Sequence, residues 1–253
     1  MEKEILPLIY RPGHIFWDLH ITFKGLDAFF RCYNILTKAG LEILDIHLSR
    51  SIEEGKIVFL VDATKSKVSI EMLYEEIKNV FGVADVFIKD IPTKGFGYHL
   101  IHPYQLGPHK VVILTDLLLS TLVNSIKDQW GSAGEFALYR IGESVGNEIY
   151  STLHSIYNVE GKDLVTIILM MHEVMGWTER TELLEYNTDE KARVRIYNNI
   201  ECKHVKRNKP NSQFIRGILA GIFKQIFSKD IEVEETHCLS KGDKYCQFII
   251  RCK

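Results

Sequence analysis

His14-Ile15-Phe16-Trp17-Asp18-Leu19-His20-Ile21-Thr22-Phe23 decides how the first half of the chain is read. Ile15, Trp17, Leu19, Ile21 and Phe23 fall on one face of an extended segment, and Phe16, Asp18, His20 and Thr22 on the other, which is the period of a half-buried strand. Downstream the period lengthens to that of a helix. Leu26, Phe29, Phe30, Tyr33 and Leu36 form one stripe that stops at Gly40, a residue suited to the left-handed C-terminal cap. Strands over residues 41–48 and 56–61 flank Glu53-Glu54-Gly55, which reads as a hairpin turn. Ile70, Leu73, Ile77 and Phe81 then repeat the helical spacing up to Gly82, and residues 83–88 make a last strand. The order strand-helix-strand-strand-helix-strand over residues 13–90 predicts a ferredoxin-like unit, one antiparallel sheet with two helices on one face.

The 253 residues are 46% apolar, enough for one large core or two modest ones. Charge is nearly balanced, 31 basic against 33 acidic residues, which argues against a dedicated polyanion binder and against a disordered acidic chain. Five cysteines is an odd count. Met1-Glu2-Lys3-Glu4 is charged, unlike a secretory leader, so the reading is a reduced, cytoplasmic protein. The longest apolar run, residues 165–174, is interrupted by His172 and Glu173 and is too short for a bilayer, which needs about 20 residues, so no membrane partner is expected.

Beyond residue 91 the periodicity lapses through a Pro- and Gly-bearing stretch, read as a linker over residues 92–107. A short β-branched strand is expected over residues 111–114. Helical stripes follow over residues 117–130, 133–157 and 163–175. Two helices carry paired glycines four residues apart, Gly142 with Gly146 and Gly217 with Gly221. Each glycine costs about 1 kcal/mol of helix propensity relative to alanine, so close approach of a neighbouring backbone is the expected return. Strands over residues 192–196, 231–235 and 247–251 complete an α+β domain, with helices packed on an antiparallel sheet.

Two resemblances follow from these residues. Gly25, where the first strand turns into the first helix, makes the opening segment resemble an ACT-type regulatory domain, a family that pairs through its sheet and often binds amino acids at the shared edge. The resemblance implies an ACT-like regulatory and dimerisation domain over residues 1–91. In the second half, Ala137-Leu138-Tyr139-Arg140-Ile141-Gly142-Glu143, Phe214-Ile215-Arg216-Gly217-Ile218-Leu219-Ala220-Gly221, Val233-Glu234-Glu235-Thr236-His237-Cys238 and Gly242-Asp243-x2-Cys246-x-Phe248 resemble a 4-vinyl reductase domain over residues 108–253. Members of that family are small-molecule-binding modules that share a fold with vesicle-tethering subunits. In bacterial sensors of phenolic compounds the domain binds the effector and controls a separate transcription-activating module.

The resemblance implies a zinc site of one Glu and three Cys, and maps three ligands onto Glu235, Cys238 and Cys246. The fourth position falls on Ser212, a poor donor for zinc beside the thiolates and imidazoles that closed sites prefer. His237, Cys202 and His204 are near enough in sequence to replace it, although alternation sends His237 to the opposite strand face from Cys238. Without a metal, Cys238 and Cys246 are buried thiols or a disulfide. The resemblance also implies a pocket. His172-x3-Gly176 fits the family's pocket histidine, Tyr197 lies near the aromatic position on the next strand, and Trp177, Met170, Met171 and Met175 supply adaptable walls. The alternative for His172 is a satisfied core histidine with the methionines as ordinary core.

The compact basic run Lys203-His204-Val205-Lys206-Arg207-Asn208-Lys209 precedes Pro210 and reads as a solvated loop, and nothing near it has a nucleic-acid-binding pattern. No phosphate loop, dinucleotide fingerprint or hydrolase elbow is present, so no enzymatic activity is expected. The expectation is a homodimeric sensor or adaptor that binds a small hydrophobic or aromatic ligand and signals through a partner protein. The alternatives are a structural tethering subunit without exchangeable ligand, and a metal- or redox-responsive switch.

Overall fold

The computed structural model describes residues 8–50, 54–99, 104–106, 109–187 and 191–253. Part of the expected hairpin turn (Glu53), the charged start of the chain and several positions of the expected linker lie outside these residues. The chain divides into two compact units, Met1–Val112 and Ile113–Lys253. The division therefore falls just past the expected linker, and residues through His99 pack within the first unit.

In the first unit, short β1 (Ile9–Tyr10) precedes β2 (Phe16–Phe23), α1 (Leu26–Lys38), β3 (Glu42–Arg50), β4 (Gly55–Asp62), α2 (Ile70–Lys78) and β5 (Val83–Asp90). β6 (Phe96–Gly97) pairs with β1, and β7 (Tyr104–Leu106) pairs with β8 (His109–Val111). Strands β3-β4-β2-β5 form one antiparallel sheet in that order, the ferredoxin-like topology the periodicity predicts. Trp17, Leu19, Ile21 and Phe23 bury against α1 and α2 with Ile57, Phe59 and Val61.

Four expectations are corrected here. Ile15 precedes the strand and is exposed, whereas Phe16 is buried with Leu60 and Ile91 in a small cluster of its own. The inner face of α1 is Ala28, Cys32 and Leu36 with Phe29 and Ile35 beside it, while Leu26, Phe30 and Tyr33 stay partly exposed. Small residues at the contact let the helix lie close to the sheet, which tips the larger ones outward. α2 ends at Lys78, so Phe81 lies beyond the helix and is exposed; the short strand expected over residues 111–114 instead ends at Val111, as β8.

The second unit opens with α3 (Asp116–Tyr157), broken at Gly131 (φ 54°, ψ −130°), where the two expected helical stripes meet. α4 (Gly161–Val174), β9 (Arg180–Asn187), β10 (Lys191–Tyr197), α5 (Gln213–Phe227), β11 (Ile231–His237) and β12 (Cys246–Cys252) follow. The sheet is antiparallel, ordered β11-β12-β10-β9. β9 was not expected: it is an edge strand, mostly half-buried on both faces, with a bulge in its pairing to β10, so its sequence lacks clean alternation. α3 and α5 cross where the paired glycines sit. A Cβ at Gly142 would overlap the Phe214 carbonyl, at Gly146 that of Ile218, at Gly217 that of Tyr139, and at Gly221 that of Glu143. The crossing holds α5 over the sheet, where Ile215, Ile218, Leu219, Ile222 and Phe223 join Val194, Ile196, Phe248 and Ile250 in the core.

Candidate metal centre

The turn after β10 begins at Asn198, whose φ of 53° reverses the chain. Asn199 then anchors it, its carbonyl accepting from the Cys202 and Lys203 N–H groups and its Oδ1 from the Glu201 N–H. This turn carries Cys202 inward. β11 carries Glu235 and ends beside Cys238; a 3₁₀ turn (Leu239–Lys241) and Gly242, at φ 105°, lead back to Cys246 at the start of β12. One donor atom from each of Cys202, Glu235, Cys238 and Cys246 lies within 4.8 Å of the others, and all four residues are buried. Cys202 thus takes the place the sequence assigned to Ser212. His204 instead pairs with Asp116, and His237 lies against Thr236 and Tyr245.

Ser212 sits beside the cluster. Its hydroxyl donates to Glu235 Oε1 at 2.7 Å, its N–H donates to Oε2 at 3.0 Å, and its Oγ lies 3.2 Å from Cys202 Sγ. The sulfurs are themselves served by donors: the Asn211 N–H reaches Cys238 Sγ at 3.4 Å, the Leu239 N–H reaches Cys246 Sγ at 3.4 Å, and Ser240 Oγ is 3.1 Å from Cys238 Sγ. Such donors favour thiolate over thiol. Hydrogen bonds from the Cys202 and Cys246 thiols, then from Ser240 and Asn211, hold Cys238 far below the ordinary thiol range. The same contacts push Cys202 and Cys246 upward. Burial, and then the negative charge of Cys238, raises the Glu235 carboxyl to about 8. Four acidic donors in one dry volume repel one another as anions, and a divalent cation is the group that lets all four ionise together. The sulfur of Cys202 lies 3.6 Å from that of Cys238, a spacing compatible with two thiolates sharing a zinc at about 2.3 Å each.

Glu201, next to Cys202, ties the turn to both long helices. Its carboxylate accepts from Lys127 Nζ at 2.8 Å and from the Phe214 and Ile215 N–H groups at 3.1 and 2.7 Å, at the exposed-donor end of α5. The basic run after it is likewise paired: Lys203 with Asp116, Arg207 with Asp128, and Lys209 with Glu135.

The expected ligand residues separate. His172 is buried in the last turn of α4, its Nδ1–H donating to the Ile168 carbonyl at 2.7 Å, with the Trp177 ring edge-on at 5.4 Å. Trp177 reaches Phe214 at 6.1 Å, and Met171 packs on the same core. Tyr197 does not join them. In β10 the residues Ala192, Val194 and Ile196 face the core, so Tyr197 stands on the opposite face, bonded to Glu182 at 3.2 Å under the Arg180 guanidinium. Met175 is more than a third exposed and Met170 more than half. A cavity of about 300 Å³ opens elsewhere, between α3 and the first turn of α5, lined by Glu135, Phe136, Tyr139, Gln213 and Arg216.

Residues 192–252, which hold all four cluster donors, match the 4-vinyl reductase domain family. This segment is a 4-vinyl reductase domain. Two uncharacterized proteins of Methanocaldococcus jannaschii are similar to the chain: one is 36% identical over 69 residues, 27% of this chain, and the other 31% identical over 117 residues, 46% of this chain. The chain spans 43% and 66% of their respective lengths. Among solved structures, the phenol-responsive sensory domain of the transcription activator PoxR with phenol superposes with a TM-score of 0.48 at 15% identity, covering 58% of this chain and 79% of that one. The 4-vinyl reductase segment supplies β10, the Cys202 turn, α5, β11 and β12 of the sheet unit. The family resemblance grouped Glu235, Cys238 and Cys246, and these three lie together here with Cys202. Cys202 carries no local signal beyond being a cysteine near the others. Among the described residues no helix is long and apolar enough to cross a membrane.

Proposed function

We propose that the chain is a regulatory protein that senses a small hydrophobic or aromatic molecule, its 4-vinyl reductase domain clasped by one zinc ion on Cys202, Glu235, Cys238 and Cys246. The metal part of the reading is carried by the convergence of those four buried donors beside the first turn of α5, and the sensing part is supported by the match of residues 192–252 to the 4-vinyl reductase domain family. The residues fit the ion: three sulfurs and a carboxylate make the closed, strong-donor set of a structural site. Zinc would supply the positive charge that lets the four donors ionise together in the interior.

The same turn of α5 touches two things. Ser212 bonds Glu235 of the clasp, and two residues on Phe214 meets Trp177, whose other neighbour is His172. A guest wedged among Trp177, His172 and Met171 would displace Phe214 and pull on the end of α5. A ligand shifts such an equilibrium only by binding one arrangement better than the other. The clasp keeps the Cys202 turn and the β11–β12 end fixed while α5 responds. In this reading the protein acts by binding, not turnover, as a cytoplasmic homodimer whose ACT-like unit contributes to pairing, and its output passes through a partner protein.

Metal analysis and native mass spectrometry of the full chain test this together. The expected result is one zinc per chain lost on Cys202→Ser, and a retained apolar molecule lost on His172→Ala but kept on Tyr197→Phe. A chain that takes up no zinc at the clasp refutes the metal assignment. A zinc-loaded chain that never retains a guest, and is not stabilised by phenols or other small aromatics, refutes sensing and leaves an assembly subunit.

A further inference from the structure

The face of the N-terminal sheet turned away from its two helices carries a second constellation, independent of the clasp. Register builds it. Asp18 of β2 and Asp45 of β3 both pair with Leu60 of β4, and His20 and His47 both pair with Val58. Two aspartates therefore flank one residue of the central strand and two histidines flank the next in the same array. The bulge between Ile43 and Asp45 is what brings Asp45 to this face beside Leu44, because strict alternation would send it to the helix side.

His99, in the segment after β6, lies across the two aspartates with its side chain fully buried. Its Nδ1 is 2.9 Å from Asp18 Oδ1 and its Nε2 is 2.9 Å from Asp45 Oδ2. His20 Nε2 is 2.8 Å from Asp18 Oδ2. His47 Nε2 is shielded from solvent and 3.0 Å from the same Asp45 Oδ2 that faces His99, yet out of line for a hydrogen bond. The His47 and His99 rings meet edge-on at 5.0 Å. One ligand atom each from Asp45, His47 and His99 lies within 4.8 Å of the others.

We propose that Asp45, His47 and His99 form a second site, for a divalent transition metal ion, with Asp18 as the positioning residue behind His99. Two imidazoles and one carboxylate suit zinc, cobalt, nickel or ferrous iron. Asp18 accepts the Nδ1 proton of His99 and so leaves Nε2 for the metal, the carboxylate–histidine arrangement that commonly supports metal-bound imidazoles. Without an ion, each ring nitrogen of His99 faces a carboxylate oxygen. With one, the metal sits on Nε2, any proton there leaves to solvent, and His47 Nε2 gains the partner it lacks. Asp45 and His47 are about a quarter to a third exposed, so this site keeps positions open to water or a small ligand, unlike the buried clasp. An exchangeable ion here would give the ACT-like unit an input of its own.

Cobalt titration of the full, metal-stripped chain separates the two sites by colour. The clasp, with thiolate ligands, gives sulfur-to-cobalt charge-transfer absorption; the sheet site, with only nitrogen and oxygen donors, gives weak visible bands without it. The expected result is a second equivalent of cobalt of the latter kind, weakened at least about tenfold in His47→Ala and in Asp45→Asn. It persists in Cys202→Ser, which loses the charge-transfer band instead. His47 is partly exposed, so its variant folds, and melting of the metal-free protein confirms that. The proposal is overturned if the wild-type chain shows no cobalt binding outside the thiolate site, or if His47→Ala binds the second equivalent as tightly as the wild type.

Discussion

Replacing Gly217 by alanine adds one methyl group to the middle of α5, and two opposed effects decide the outcome. In an unobstructed helix the change stabilises by about 1 kcal/mol, because alanine restricts the unfolded chain and favours the helix. Here the new Cβ would lie inside the carbonyl oxygen of Tyr139 and crowd the Glu143 N–H on α3. Both are backbone atoms of a helix that cannot rotate them away, so the two helices must separate at the point where all four glycines interlock. Overpacking of this kind costs about 1–3 kcal/mol, and with backbone as the obstacle the upper figure applies. The net expectation is a loss of about 2 kcal/mol, which for a unit of this size lowers its melting temperature by roughly 8 °C. Calorimetry of the full chain measures it, with Ser144→Ala, on the exposed face of α3, as the control that leaves the melt nearly unchanged. Because α5 begins at the Ser212 contact to Glu235, the variant should also release zinc more readily to a chelator. A Gly217→Ala protein that melts at or above the wild type would refute the close-crossing argument.

Other outcomes follow from single contacts. Lys127→Met leaves the fully buried Glu201 carboxylate without its cation and should cost about 3–5 kcal/mol in denaturant unfolding; a loss below about 1 kcal/mol would mean that the backbone N–H groups of α5 suffice. His204→Ala should leave zinc content unchanged while Cys202→Ser abolishes it, because only Cys202 reaches the cluster; equal effects would contradict the placement. Burial lowers the pKa of His172, opposed by its bond to the Ile168 carbonyl, so the folded state resists a proton that the unfolded state accepts at about pH 6.5. Stability is therefore full above that pH and falls as the pH drops below it, and His172→Leu should flatten the decline measured by melting between pH 7 and pH 5. An unchanged slope in that variant would assign the acid sensitivity to other groups.

Residues whose signal is local were legible in advance. The two-residue alternation over residues 15–23, the 3.6-residue spacing of Leu73 and Ile77, and the break between the halves of α3 each follow from the pattern of a short window. The paired glycines were legible too, because a helix accepts two costly residues only where something passes close by. The helical face of α1 was misjudged because Ala28 and Cys32 give no hydrophobic peak, although small size is what their contact with the sheet selects. β9 went unread because an edge strand need not alternate. His172 and Tyr197 looked like partners because they match one pattern, but strand parity puts Tyr197 on the far side of the sheet.

The sequence by itself determined the strand-helix-strand-strand-helix-strand order of the first sheet, the helices of the second half and the paired glycines, since each depends on neighbours within a turn or a strand; Glu235, Cys238 and Cys246 were grouped by the family resemblance. Tertiary structure alone decided that Cys202 completes the set in place of Ser212, and that Asp18, Asp45, His47 and His99 meet on one sheet face. These groups are joined by strand register, a bulge and a returning loop. Such long-range geometry is fixed by the packing of the whole unit, and no window of residues encodes it.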